Sequence, residues 1–137
     1  MVDANSPAAG NNDLVGIWRL VAEIATDGSG RPLPPLHGPA PLGLLAFTAD
    51  GRMIVAISDG RPDPLDGPRS YLSYCGGYSF DGARLVTRVD GASDPRLQDA
   101  PQVRDARFEG ERLILRPVGG IRQLKDGVRD LVWERVG

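Results

Sequence analysis

Tyr74, Tyr78 and Arg104 are the side chains whose types and placing point to chemistry inside this protein. Arginine presents a planar fork of donors that matches a carboxylate, an enolate or a phenolate. A tyrosine hydroxyl can give a proton or steady a developing oxyanion. Tyr78, Arg104 and Tyr74 are therefore the catalytic candidates. The same residues also have a structural reading, with the tyrosines as plain cavity lining and Arg104 bonded to Tyr78 or to a backbone carbonyl. His37, the sole histidine, sits in the proline-rich run RPLPPLHGPAP at 31–41. There it is either an exposed loop residue or a proton shuttle on a flap over a cavity mouth. No metal site is legible, because no second histidine or cysteine stands at ligand spacing. The single Cys75 reads as a small filler facing away from the cavity. A Ser-His-Asp system would have to run through His37. No phosphate-binding glycine loop is present, since the glycines fall in hairpin turns, and no cofactor is implied.

These candidates need strands to position them. The chain has 18 glycines and 12 prolines in 137 residues, yet 41% of it is hydrophobic. That combination predicts many short elements joined by tight turns rather than disorder. Asp-Gly and Glu-Gly turns recur at Asp50-Gly51, Asp81-Gly82, Glu109-Gly110 and Asp126-Gly127, each flanked by apolar runs in the manner of hairpins. Strands are expected over 14–25, 42–48, 52–57, 71–79, 84–90, 101–108 and 112–117, with 119–124 and 128–136 pairing across Lys125-Asp126-Gly127. The first of these is ambiguous. Leu14, Ile17, Trp18, Val21, Ala22 and Ala25 stand at helical spacing, whereas Gly16 and the Val, Ile and Trp content favour a strand. The loops at 31–41 and 58–70 are too rich in proline for a helix or central strand, and the first makes a plausible flap. Gly76-Gly77 suits a bulge or sharp bend. The fold class expected is all-β, a single antiparallel up-and-down barrel of about eight strands, which is wide enough for one small ligand.

Strand alternation assigns the faces. Leu85, Thr87 and Val89 point inward, as do Leu113 and Leu115. On 101–108 the better inner face is Gln102, Arg104, Ala106 and Phe108, which carries an arginine inside. Tyr74, Gly76 and Tyr78 share a face. The predicted ligand-binding set is thus Tyr74, Tyr78, Thr87, Gln102, Arg104, Phe108, Leu113 and Leu115, with His37 on the flap. An interior that is apolar with a few polar groups is typical of a small-molecule pocket, and a simple core would rarely bury an arginine.

The totals set the remaining bounds. A net charge of −2 gives no basic face for nucleic acid. Fifteen of the sixteen basic residues are arginine, Lys125 being the one lysine, a bias that genome composition explains as readily as anion recognition. Residues 1–12 read as a mobile tail without signal-peptide character, and 13–137 as the barrel domain. No stretch suits a transmembrane span. A lone cysteine fits a reducing compartment. A cytoplasmic monomer or homodimer is expected.

The sequence resembles the bacterial lipocalin-like domains. Leu14-Val15-Gly16-Ile17-Trp18-Arg19-Leu20-Val21 opens like them, and the wider lipocalins close one barrel end with a Gly-x-Trp on the first strand. There the Trp packs against an Arg of the final strand. The resemblance therefore implies a structural plug of Gly16, Trp18 and Arg135. It continues through residues 43–53, through Tyr74-Cys75-Gly76-Gly77-Tyr78 and through Gln102-Val103-Arg104. One departure is plain: the family often carries His on the strand after the Asp81-Gly82 turn, where this chain has Thr87-Arg88. Chemistry that relies on that His is not carried over. The resemblance implies a barrel that binds a small lipophilic or aromatic molecule, and the inward Arg104 points to one bearing a carbonyl or carboxylate. The alternative it leaves open is a cofactor-independent isomerase, cyclase or lyase. A third possibility is a purely structural barrel with a filled core.

Overall fold

The computed structural model describes residues 13–60, 70–119, 124 and 126–136. Eight antiparallel strands close into a barrel in sequence order. They are β1 (Gly16–Asp27), β2 (Pro41–Phe47), β3 (Arg52–Asp59), β4 (Tyr71–Phe80), β5 (Arg84–Ala92), β6 (Gln102–Glu109), β7 (Arg112–Pro117) and β8 (Gly127–Arg135). Closure comes from β1 against β8, with Trp18 opposite Arg135 and Ala25 opposite Arg129. The up-and-down order puts the short hairpins at 48–51, 81–83 and 110–111 at one end, here called the closed end. The strand ends at Asp27, Asp59, Ala92 and Pro117 mark the other end, the mouth, where the described connections 28–40 and 93–101 lie.

The turns do what their residues require. Gly51 and Gly82 adopt φ of 97° and 100°, a left-handed region open chiefly to glycine. At Gly76 the reason is close approach: a Cβ there would meet the Arg88 carbonyl oxygen at 1.9 Å. The β4–β5 register shifts between Cys75 and Gly76, so the bulge read from Gly76-Gly77 is present.

Inner faces follow alternation through most of the barrel. Leu45 and Phe47, Met53, Val55 and Ile57, Leu72 and Tyr74, Leu85, Ala106, Leu113 and Leu115, and Trp133 form one buried cluster. The break is in β1, where the register with β8 shifts between Leu20 and Ala22. Trp18 and Leu20 point inward before the bulge, and Glu23 and Ala25 after it. That three-residue step is why 14–25 has helical spacing while forming a strand.

One expected hairpin is not made as predicted. β8 lies between β7 and β1, with Leu131 opposite Leu115 on one side and Glu23 on the other. It therefore takes β7, not 119–124, as its hairpin neighbour; residues 120–123 lie outside the described residues, as does the tail at 1–12. Among the described residues, no helix is long and apolar enough to cross a membrane.

Candidate ligand-binding site

The barrel interior holds a cavity lined by apolar side chains from β2, β3, β4, β5 and β7, with Tyr74 from β4, Arg104 from β6, and Arg129, Leu131 and Trp133 from β8. The free space is small, ≈ 30 Å³ open to the centres of water molecules, about two waters' worth. Ile57, Leu72, Pro117 and Arg129 belong to the mouth halves of their strands and Met53, Leu85 and Trp133 to the closed halves, so the cavity spans the middle of the barrel.

Arg104 is buried as parity required, 7% exposed. Its Nη1 donates to the Val103 carbonyl oxygen at 2.9 Å; the partner is backbone, not Tyr78. A second guanidinium, Arg129, enters from β8, where it shares the inward face of Leu131 and Trp133. Its side chain is 12% exposed, and its Nε stands 3.8 Å from Oε2 of Glu23, whose side chain is 1% exposed. Glu23 faces inward because of the bulge and accepts hydrogen bonds from the backbone N–H groups of Leu36 (2.8 Å) and His37 (3.4 Å). Among the described residues, Arg129 Nε and Trp133 Nε1 are buried without a hydrogen-bond partner. Leaving a buried donor unpaired costs about 1–3 kcal/mol, so each calls for an explanation.

The proline-rich loop folds into the mouth. Glu23 holds the N–H groups of Leu36 and His37, and His37 Nδ1 lies 2.9 Å from Ser70 Oγ. Gly38 lies against the buried Asp59, whose carboxylate a Cβ at that position would meet at 3.0 Å. His37 is consequently 2% exposed, not the exposed loop residue of the bland reading. It does not line the cavity.

Several predicted ligand contacts lie elsewhere. Tyr78 shares the parity of Tyr74 but sits near the closed end. Its ring meets Phe47 edge-on at 4.9 Å between centroids, and its hydroxyl donates to the Thr48 carbonyl at 2.9 Å. Burial, with the Asp50 carboxylate nearby, pushes its phenol above the usual value, which keeps it protonated. Gln102 is buried but donates to the Leu97 and Ala100 carbonyls, fastening the short 3₁₀ turn Pro95–Gln98. Thr87 and Leu113 are packed into the core away from the free space. Phe108 is 39% exposed and stands 6.3 Å from Trp18 at the closed end, because its strand has there almost reached the Glu109-Gly110 turn. Tyr74, Arg104 and Leu115 do line the cavity.

The closed end is built from Gly16, Trp18 and Arg135. Gly16 has φ of 133°. The Arg135 guanidinium lies 4.2 Å over the Trp18 ring and donates to the carbonyls of Val15 (2.6 Å) and Asp13 (2.8 Å). Trp18 Nε1 donates to the Leu14 carbonyl at 3.0 Å. A solvent-open depression of ≈ 680 Å³ lies beside this plug, lined in part by Trp18, Phe108 and Arg135.

A family model of the lipocalin-like domain matches residues 15–136. The chain belongs to the lipocalin-like domain family. The match covers every strand of the barrel, plug and cavity included. Comparison with curated proteins gave no match. A lipocalin-like barrel of this form fits the binding of a small molecule in its interior.

Two of the interior groups, Arg129 and Glu23, escaped the sequence reading. Arg129 had a signal, since it continues the alternation of Leu131 and Trp133 by one step toward the turn. Glu23 had only the irregular step after Leu20.

Proposed function

We propose that this lipocalin-like barrel binds a small lipophilic or aromatic molecule that carries a carbonyl or carboxylate group, with Arg104 anchoring that group. The observation that carries the reading is a pair of guanidiniums, Arg104 and Arg129, on one otherwise apolar cavity. A buried cation needs a partner, and among the described residues one carboxylate, Glu23, stands by Arg129. Such an interior is suited to an apolar guest with an anionic or strongly accepting end.

The guest must make room for itself. Met53, Arg104 and Arg129 are long and unbranched, and can swing aside. The loop residues 36–38 must lift from the mouth for entry. Binding is favoured over an isomerase, cyclase or lyase role because the described residues of the cavity lining include no carboxylate or imidazole to take a proton, and Tyr78 is engaged elsewhere. The lone Cys75 supports placing the protein in the cytoplasm.

Calorimetric titration with trans-cinnamate and with cinnamyl alcohol, against the parent and Arg104→Met, tests this. The parent should bind the acid, and the variant should lose about ten- to a hundredfold of that affinity, the worth of one charge-assisted hydrogen bond. Equal affinities across all four pairings would remove Arg104 from the site.

A further inference from the structure

Two buried donors on β8 are left over once the fold has been accounted for. Trp133 Nε1 and Arg129 Nε have no acceptor among the described residues, and both residues line the cavity. They flank Leu131 on the inner face of one strand. Neither group can act as an acceptor, so whatever satisfies them must bring lone pairs rather than protons. Water could supply lone pairs, but it leaves the local charge unbalanced. Among the described residues, two guanidiniums, Arg104 and Arg129, line the space, against the one carboxylate of Glu23 beside Arg129. Glu23 cannot serve fully, being 3.8 Å from Arg129 Nε and committed to the N–H groups of Leu36 and His37. An occupant with several lone pairs and one negative charge meets both needs.

We propose that Arg129 and Trp133 are specificity-determining residues that select a monocarboxylate over a neutral acceptor, with the apolar body of the guest lying on Leu131. This rests on the binding reading above and narrows its ligand class. The indole N–H hydrogen-bonds the carboxylate, and Arg129 supplies the charge that an alcohol or ketone leaves uncompensated.

The chain has two tryptophans, so its ¹H–¹⁵N spectrum carries two indole N–H signals. Trp18 already donates to the Leu14 carbonyl and serves as an internal control. Titrating the labelled full chain with trans-cinnamate should move the Trp133 signal downfield, as identified by its absence from Trp133→Phe. Cinnamyl alcohol should not move it, and the Trp18 signal should stay in place with both. Arg129→Met should lower the ratio of acid to alcohol affinity about ten- to a hundredfold. If that variant does not fold, the spectrum of the parent decides alone. Binding of both probes with the Trp133 signal unmoved, or moved equally by both, overturns the selection and leaves the binding reading standing. Binding of neither overturns both.

Discussion

The barrel has one tryptophan and arginine in its plug and another pair on its cavity, and the two pairs are used in opposite ways. At the closed end, Trp18 donates to Leu14, and Arg135 stacks on Trp18 while donating to two carbonyls. On the cavity, Trp133 is as buried as Trp18, yet an N–H of Trp133 and one of Arg129 lack an acceptor among the described residues. Satisfied polar groups mark structure. Unsatisfied ones facing a cavity call for a partner that the described residues do not supply. Residue type alone does not separate the two cases; the accounting of donors and acceptors does. The wide depression beside Trp18 is larger than the internal cavity, but the plug donors beneath it are already engaged, so size is the weaker guide.

The largest expected effect is at the closed end. Trp18→Ala should destabilise the fold by about 3–5 kcal/mol, as large aromatic truncations in cores do, with a lowered urea midpoint. A midpoint equal to the parent's would mean that the ring does not plug the barrel.

Next comes the outer wall. Asp130 on β8 accepts from Arg116 Nε at 2.8 Å and Nη2 at 3.0 Å, with Arg107 at 3.5 Å. Burial acts to raise its carboxyl, but the hydrogen bonds and charge of Arg116, with Arg107 behind, hold it below the ordinary aspartate value of 3.8. A depressed folded-state value stabilises the fold above 3.8 and ceases to do so as pH falls through the folded value. Asp130→Asn should therefore cost about 1–3 kcal/mol at pH 7, and the gap from the parent should shrink at strongly acid pH. A gap that persists there would mean that the charge on Asp130 is not what matters.

The smallest effects sharpen the comparison itself. Arg135→Met breaks a stacked, hydrogen-bonded contact and should cost about 1 kcal/mol. Arg129→Met alone would strand the buried Glu23 carboxylate, so it is paired with Glu23→Gln; the double variant replaces the buried pair by neutral groups and should change stability by less than about 1 kcal/mol. If the double variant proved costlier than Arg135→Met by denaturant midpoint, the pair would be structural and the contrast with the plug would collapse.

The barrel was legible because its signals are local. Asp-Gly turns and alternating apolar residues set the strands, and parity alone placed Arg104 and Tyr74 on the cavity. The family motif led to the Trp18–Arg135 contact. Position along the barrel was not legible. Parity says that Tyr78 and Phe108 share an inner face, but not that they sit at the closed end, away from the free space. The burial of His37 depends on Glu23, fourteen residues away, and Glu23 is aimed inward by a bulge that no residue near Val21 announces. The 119–124 strand was expected from apolar content next to an Asp-Gly turn, but β8 finds both its partners in β7 and β1.

The central claim is that the unpaired donors inside the barrel are there for a guest. A crystal structure of the full chain with trans-cinnamate tests it most directly. The carboxylate should lie inside the barrel, within about 2.7–3.0 Å of N–H donors from Arg104, Arg129 or Trp133, with the aromatic ring against Leu131. A guest seated instead in the depression beside Trp18, with the interior side chains unmoved, would contradict it.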